Sequence, residues 1–373
     1  MRYFAPQLFD GNNIKNNQVM TIKNGSIISV EDGLAESADI QLTGLVAPGF
    51  IDVQVNGGGG VLFNNQPTVG ALQIISQAHQ QFGTTGMLPT LITDKIATMS
   101  LATNAIQQAI AEKTPGILGV HFEGPHLSQP KKGIHPEQHI RHITDQELAL
   151  FLRHDLGTVC VTLAPENVPC DIIQELVKSN VKVCLGHSNA TVEQTQAAIS
   201  VGAQGFTHLF NAMSPLQSRA AGMVGAALLD NNTYCGLIVD HEHVDIASCQ
   251  LAIKCKTANK IMLVTDAMSH VGSDQVALEF SDMNISREGN RLTIEGGRLA
   301  GSALDMATAV KHTIEDLHCS KEQALIMASS TPANFLGKQQ QKGYLTENFD
   351  ADWVVLNHDF TVRETFIAGN KVY

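Results

Sequence analysis

The sequence predicts an α/β protein: a parallel (β/α)8 barrel of the TIM type over residues 49–342, with a small β-sandwich made from both chain ends, 1–48 and 343–373. Three observations carry this. From Ala47-Pro48-Gly49 onward, β-type apolar runs alternate eight times with helix-length segments, the pattern of a parallel sheet and its crossover helices. Both chain ends read instead as short strands parted by turn signals. Four of the runs end in or carry a side chain that handles metal or protons, namely Glu123, His187, His208 and Asp266. A barrel of this kind builds its active site at the C-terminal ends of its strands.

In chain order, Val19 to Lys23, Ser26 to Val30 and Ile40 to Val46 are strand-like, and Asn24-Gly25 and Asp32-Gly33 are hairpin-type turns between them. The eight barrel strands begin near Phe50, Met87, Ile117, Thr158, Val181, Gly205, Tyr234 and Lys260. Between them, Thr68 to Phe82, Asp94 to Lys113, Asp171 to Ser179, Thr191 to Val201 and Val244 to Thr257 space their apolar residues as helices do. No G-x-G-x-x-G opens the first crossover, which argues against a doubly wound nucleotide-binding sheet. Residues 275–299 form an excursion with β-like pieces. Leu299 to Ser302 then leads into a helix reaching about Leu317, and two further helices, Lys321 to Ala328 and Thr331 to Leu336, follow. The tail, with Asp352 to Leu356 and Phe366 to Val372, is again strand-like.

Composition narrows the function classes. The chain is 43% hydrophobic and carries a net charge of −12 without any basic stripe, so nucleic-acid binding is not expected. No stretch approaches the roughly 20 apolar residues of a membrane span, and the N-terminus lacks the apolar core of a secretion signal. The seven cysteines are odd in number and contain no C-x-x-C pair, as expected of reduced thiols in a cytoplasm.

The strand ends carry Gln54 and Asn56, Thr90, Glu123, Glu166, His187, His208, Asp240 and Asp266. Glu123, His187 and His208 form a Glu/His/His set, and three such ligands plus water describe a catalytic divalent metal site, zinc being the commonest occupant. Asp266 is then free to take a proton from water beside the metal and return it to a leaving group. His135, on a loop between Gly133 and Pro136, suits polarisation of a substrate carbonyl. The first strand ends in the neutral amides Gln54 and Asn56, much weaker metal ligands than imidazoles. One tightly held metal is therefore expected per subunit.

These residues sit in motifs that resemble the N-acetylglucosamine-6-phosphate deacetylases of the amidohydrolase superfamily. The motifs are APGFIDVQVNG (47–57), HFEGPH (121–126), KKGIH (131–135), LGHSNA (185–190), THLFNAM (207–213), DHEHVD (240–245), VTDAM (264–268) and LAGSAL (299–304). The resemblance implies an amidohydrolase-type barrel with Glu123, His187 and His208 as metal ligands, Asp266 as general base and acid, and His135 facing the acetyl carbonyl. It also implies that Asn211, Ala212, Arg219 and His243 hold the sugar phosphate, with Gln54, Asn56 and Ala300 joining the substrate-binding set. The expected reaction is hydrolysis of N-acetyl-D-glucosamine 6-phosphate to D-glucosamine 6-phosphate and acetate. The expected cofactor is Zn2+, with Fe2+, Mn2+ or Co2+ as alternatives, in a homodimer whose subunits can complete each other's pockets. A preference for the galacto epimer and a non-catalytic barrel are the competing readings.

Overall fold

In the computed structural model, which describes residues 1–373, eight parallel strands form a nearly closed barrel. They are β1 Phe50–Val55, β2 Thr84–Ile92, β3 Gly119–Glu123, β4 Thr158–Leu163, β5 Lys182–Leu185, β6 Gly205–Phe206, β7 Tyr234–Leu237 and β8 Ile261–Leu263. Each pairs in parallel with the next, from β1·β2 round to β7·β8. All nine residues of β2 are buried, as are all six of β1, because a barrel strand is covered on one face by the interior and on the other by helices. That double burial is why these strands read as unbroken apolar runs. Gly119 permits the close β3–β4 approach: a Cβ there would lie 1.9 Å from the Thr158 carbonyl oxygen.

The outer ring consists of α1 Val69–Gln80, α2 Ile96–Ala111, α3 Asp145–Phe151, α4 Cys170–Lys178, α5 Val192–Ser200, α6 Gly222–Leu229, α7 Ile246–Lys256 and α8 Met306–Glu315. Their starts are fixed by side chains that accept from orphan backbone N–H groups: Thr68 for α1, Thr191 with Gln194 in a capping box for α5, and Asp305 for α8. Helix α8 begins later than the sequence suggests. Residues 266–268 and 302 instead exchange ladder bonds, Met268 N–H to Ser302 O at 2.9 Å and Ser302 N–H to Asp266 O at 3.0 Å, which keep this stretch extended. No helix is long and apolar enough to cross a membrane.

The barrel closes through the segment after β8 rather than through β8 itself. Asp266 N–H donates to Gln54 O at 3.0 Å, and Ala267 O accepts from Asn56 and Gly57 N–H at 2.9 Å each. This seam places Asp266 beside the end of β1.

The chain ends pair as expected. Trp353–Leu356 runs antiparallel to Leu45–Pro48, joining N- and C-terminal strands into one eight-stranded hydrogen-bonded sheet. Trp353 stacks on Phe366 at 4.3 Å and meets Tyr3 edge-on at 5.0 Å, the centre of a core separate from the barrel's. Arg2–Phe9 is a strand that the sequence reading did not single out. Ile40 to Val46 splits into Ile40–Gln41 and Leu45–Pro48, because Gly44 (φ +121°) turns there against the Leu356 carbonyl. The excursion after β8 is a three-stranded antiparallel sheet, Ala277–Phe280, Met283–Glu288 and Arg291–Thr293. Its Leu278, Phe280 and Ile285 pack with Ile92, Ile134 and Met268, so it covers loops at the C-terminal mouth of the barrel.

Candidate active site

Glu123 ends β3, His187 lies two residues beyond β5, and His208 lies two residues beyond β6. Their ligand atoms converge. Glu123 Oε1 is 3.2 Å from His187 Nε2 and 2.9 Å from His208 Nε2, and the two ring nitrogens are 3.0 Å apart. Ligands at about 2.0–2.1 Å from a tetrahedral ion stand about 3.3 Å from one another, so the spacing fits one metal. His187 Nδ1 lies 2.8 Å from the Lys131 carbonyl oxygen, which places a proton on Nδ1, so that in the tautomer suited to metal binding the lone pair is on Nε2. That lone pair faces a carboxylate oxygen and a second ring nitrogen, an electron-rich meeting that a cation neutralises. Burial opposes ionisation of Glu123, but the two histidines facing it hold its carboxyl well below the usual carboxylate range. His187 and His208 both adopt left-handed backbone angles, φ +46° and +34°, a strained conformation of the kind found at functional sites.

Asp266 faces this set, also at positive φ (+52°). Its Oδ1 accepts from Gln54 Nε2 at 3.0 Å and Asn56 Nδ2 at 2.7 Å, leaving Oδ2 free of protein donors. Gln54 Nε2 also reaches Glu123 Oε1 at 3.2 Å, so one buried amide spans the two carboxylates. Burial, and next the charge of Glu123, push Asp266 up to about 6, against the Asn56 hydrogen bond and nearby histidines.

A cleft of about 530 Å³ opens over these groups at the C-terminal end of the barrel. Asn56, Glu123, His135, His187, His208, Asn211, Ala212, His243 and Asp266 all line it. His135 is buried, with Nδ1 2.8 Å from Thr93 Oγ1 and a ring nitrogen within 4.8 Å of the Glu123 and His187 ligand atoms. Burial, then the neighbouring His187, keep His135 well below the ordinary imidazole value, so the ring is neutral. Asn211 Nδ2 is buried without a protein partner, a donor available to a ligand. His243 Nδ1 bonds Asp240 Oδ2 at 2.6 Å, which fixes the ring and leaves Nε2 for the cleft.

Three residues of the expected set stand elsewhere. Gln54 is buried behind the cleft, and Ala300 is buried between the lining residues Leu299 and Gly301. Arg219 lies on an exposed loop, residues 215–220, outside the lining. Two further contributors, of which only the first lines the cleft, are not marked in the sequence as site residues. Arg298 arrives from the end of the three-stranded excursion and donates to Gly133 O at 3.2 Å. Thr93, just past β2, orients His135. Neither follows a motif, whereas the basic pair Lys131 and Lys132, also lining, was visible in KKGIH.

A family model described as the amidohydrolase family matches residues 45–372. The N-acetylgalactosamine-6-phosphate deacetylase of Shewanella sp. (strain ANA-3) is 50% identical over 93% of this chain and 88% of its own. The N-acetylglucosamine-6-phosphate deacetylase of Haemophilus influenzae is 33% identical over 93% of each chain. The solved N-acetylglucosamine-6-phosphate deacetylase from Pasteurella multocida superposes with a TM-score of 0.95 at 32% identity, over 99% of this chain and 98% of that one. The match runs from the N-terminal strand Leu45–Pro48 through the barrel into the tail, and the likeness spans most of each relative: this chain belongs to the amidohydrolase family.

Proposed function

We propose that the protein is an amide hydrolase that removes the N-acetyl group of N-acetyl-D-glucosamine 6-phosphate, giving D-glucosamine 6-phosphate and acetate. The observation that carries this is the convergence of Glu123, His187 and His208 opposite Asp266, at the floor of a cleft with basic residues on its wall. Glu123, His187 and His208 would hold one divalent ion per subunit, Zn2+ in the first instance and Fe2+, Mn2+ or Co2+ as alternatives. The chemistry such an ion supplies is Lewis acidity, which acidifies water and polarises an acetyl carbonyl.

The chain's own residues supply the rest. Asp266 takes a proton from the attacking water at Oδ2, the oxygen that Gln54 and Asn56 leave free, and gives it to the amine nitrogen as the C–N bond breaks. Gln54 and Asn56 hold the carboxylate so that Oδ2 faces the cleft. Neutral His135, with Nδ1 accepting from the Thr93 backbone N–H, carries its proton on Nε2 and donates to the acetyl oxygen as negative charge develops there. Asn211, the Ala212 backbone and His243 bind the sugar phosphate. Arg219, exposed on its loop, completes the pocket of the neighbouring subunit in a cytoplasmic homodimer, where its guanidinium suits a phosphate.

The 4-epimer is the second reading, favoured by the higher identity to the Shewanella enzyme named for it. Acetate release with both epimers, phosphorylated and not, tests the assignment. Turnover of the gluco 6-phosphate well above the galacto form supports the first reading, and the reverse supports the second. No acetate from either would refute both.

A further inference from the structure

Outside the active site, His241, His312 and Asp316 each bring one ligand atom within 4.8 Å of the other two. None of the three lines the catalytic cleft. We propose that they form a second, peripheral site for a divalent cation of the zinc type, which ties the loop bearing His243 to helix α8. His241 lies on the loop after β7, between the residues Asp240 and His243 that bond each other. His312 lies on α8 and Asp316 at its C-cap, four residues on, so the helical repeat puts both on one face.

Four features separate this cluster from an ordinary surface ion pair, which contributes little. First, the His241 Nε2 to Asp316 Oδ2 distance is 3.2 Å, already close to the roughly 3.3 Å between neighbouring ligands of a tetrahedral zinc. Second, His312 Nδ1 lies 2.8 Å from the Val239 carbonyl oxygen. That bond fixes the proton on Nδ1 and leaves Nε2 as a lone pair, the outer-sphere arrangement of metal-binding histidines. Third, the two rings stand 4.3 Å apart, and His241 reaches this position from a left-handed backbone (φ +68°). Two protonated rings so close would repel, whereas two neutral rings can share an ion. Fourth, Asp316 sits at a helix C-terminus, where the macrodipole disfavours a carboxylate unless a cation offsets it. Two imidazoles and one carboxylate suit Zn2+, and Co2+ or Ni2+ less selectively. The half-exposed position of His241 and Asp316, 38% and 37% by side chain, makes this a weaker, exchangeable site than the buried catalytic set.

The test is calorimetric titration of Zn2+ into dimeric enzyme that already carries its tightly held zinc. The expected result is one further equivalent per chain, accompanied by a rise in melting temperature. Both should be lost in His312→Ala and in Asp316→Asn, with acetate release retained. Asp316→Asn keeps the test decisive if His312→Ala disturbs α8, because the carboxylate has no partner but His241. No further equivalent in the wild type would overturn the proposal. A further equivalent that survives both substitutions would also overturn it, since the second ion would then lie elsewhere.

Discussion

Replacing Asp266 with asparagine separates chemistry from architecture. The substitution is nearly isosteric. The retained Oδ1 still accepts from Gln54 and Asn56, at 3.0 and 2.7 Å in the native protein. What changes is Oδ2, which becomes an amide nitrogen that cannot carry a proton. Glu123, His187 and His208 are untouched, so metal content should stay at the wild-type level. Loss of a general acid–base typically costs about 10²–10⁴-fold, so kcat should fall by that factor. The same change should stabilise the metal-free protein. Asp266 is raised from 3.8 to about 6 in the fold, about two units, which corresponds to at most about 3 kcal/mol against the folded state when it is ionised. An acid raised on folding costs nothing below its unfolded value, progressively more between 3.8 and 6, and the full amount above. Chelated Asp266→Asn should therefore melt higher than chelated wild type at pH 8, with the gap closing as pH falls from 6 towards 4. Steady-state acetate release and thermal melts read both arms. A kcat near wild type would refute the proton-carrier role, and an unchanged or lower metal-free melting point at pH 8 would refute the electrostatic argument.

Gln54→Ala removes the amide that spans Glu123 and Asp266 and should weaken zinc binding by about 10–100-fold, read by competition with a chelator; unchanged affinity would show that the bridge does nothing for the ligand. Arg219→Ala should raise KM for the phosphorylated sugar far more than for N-acetylglucosamine itself, and equal effects on both would remove it from phosphate recognition. If Arg219 acts across the dimer, mixing Arg219→Ala subunits with Asp266→Asn subunits should restore activity that neither has alone; no restoration would place the arginine in its own subunit's site. Gly119→Ala sets a methyl 1.9 Å from the Thr158 carbonyl oxygen and should cost about 1–3 kcal/mol or more in chemical denaturation, with a loss under about 0.5 kcal/mol showing that β3 and β4 can separate freely.

The barrel was legible because its strands are buried on both faces. Phe50, Thr158, Gly205 and Tyr234 begin strands where the apolar runs begin, and the other starts lie within a few residues. Glu123 stood out because a carboxylate closing an apolar strand needs a partner. Helix α6 gave no usable periodicity, since seven of its eight residues are buried and no polar face marks it. The strand Arg2–Phe9 alternates only partly and lacks a turn signal on its N-terminal side. Within the site, chain position showed which residues end strands but not what touches what. Gln54 meets partners 69 and 212 residues away. Arg298 enters the cleft only because the three-stranded excursion folds back over the barrel mouth. The left-handed backbones of His187, His208 and Asp266 follow from tertiary bonds, not from local residue preference.

Titrating zinc into metal-free His312→Ala enzyme while recording acetate release from N-acetyl-D-glucosamine 6-phosphate tests the central claim most directly, because the peripheral cluster then contributes no binding. Activity should rise linearly with zinc and break at one equivalent per chain, as expected for a single ion on Glu123, His187 and His208 with Gln54 between the carboxylates. A break at two equivalents, with activity following the second, or no acetate at any loading, would contradict the account.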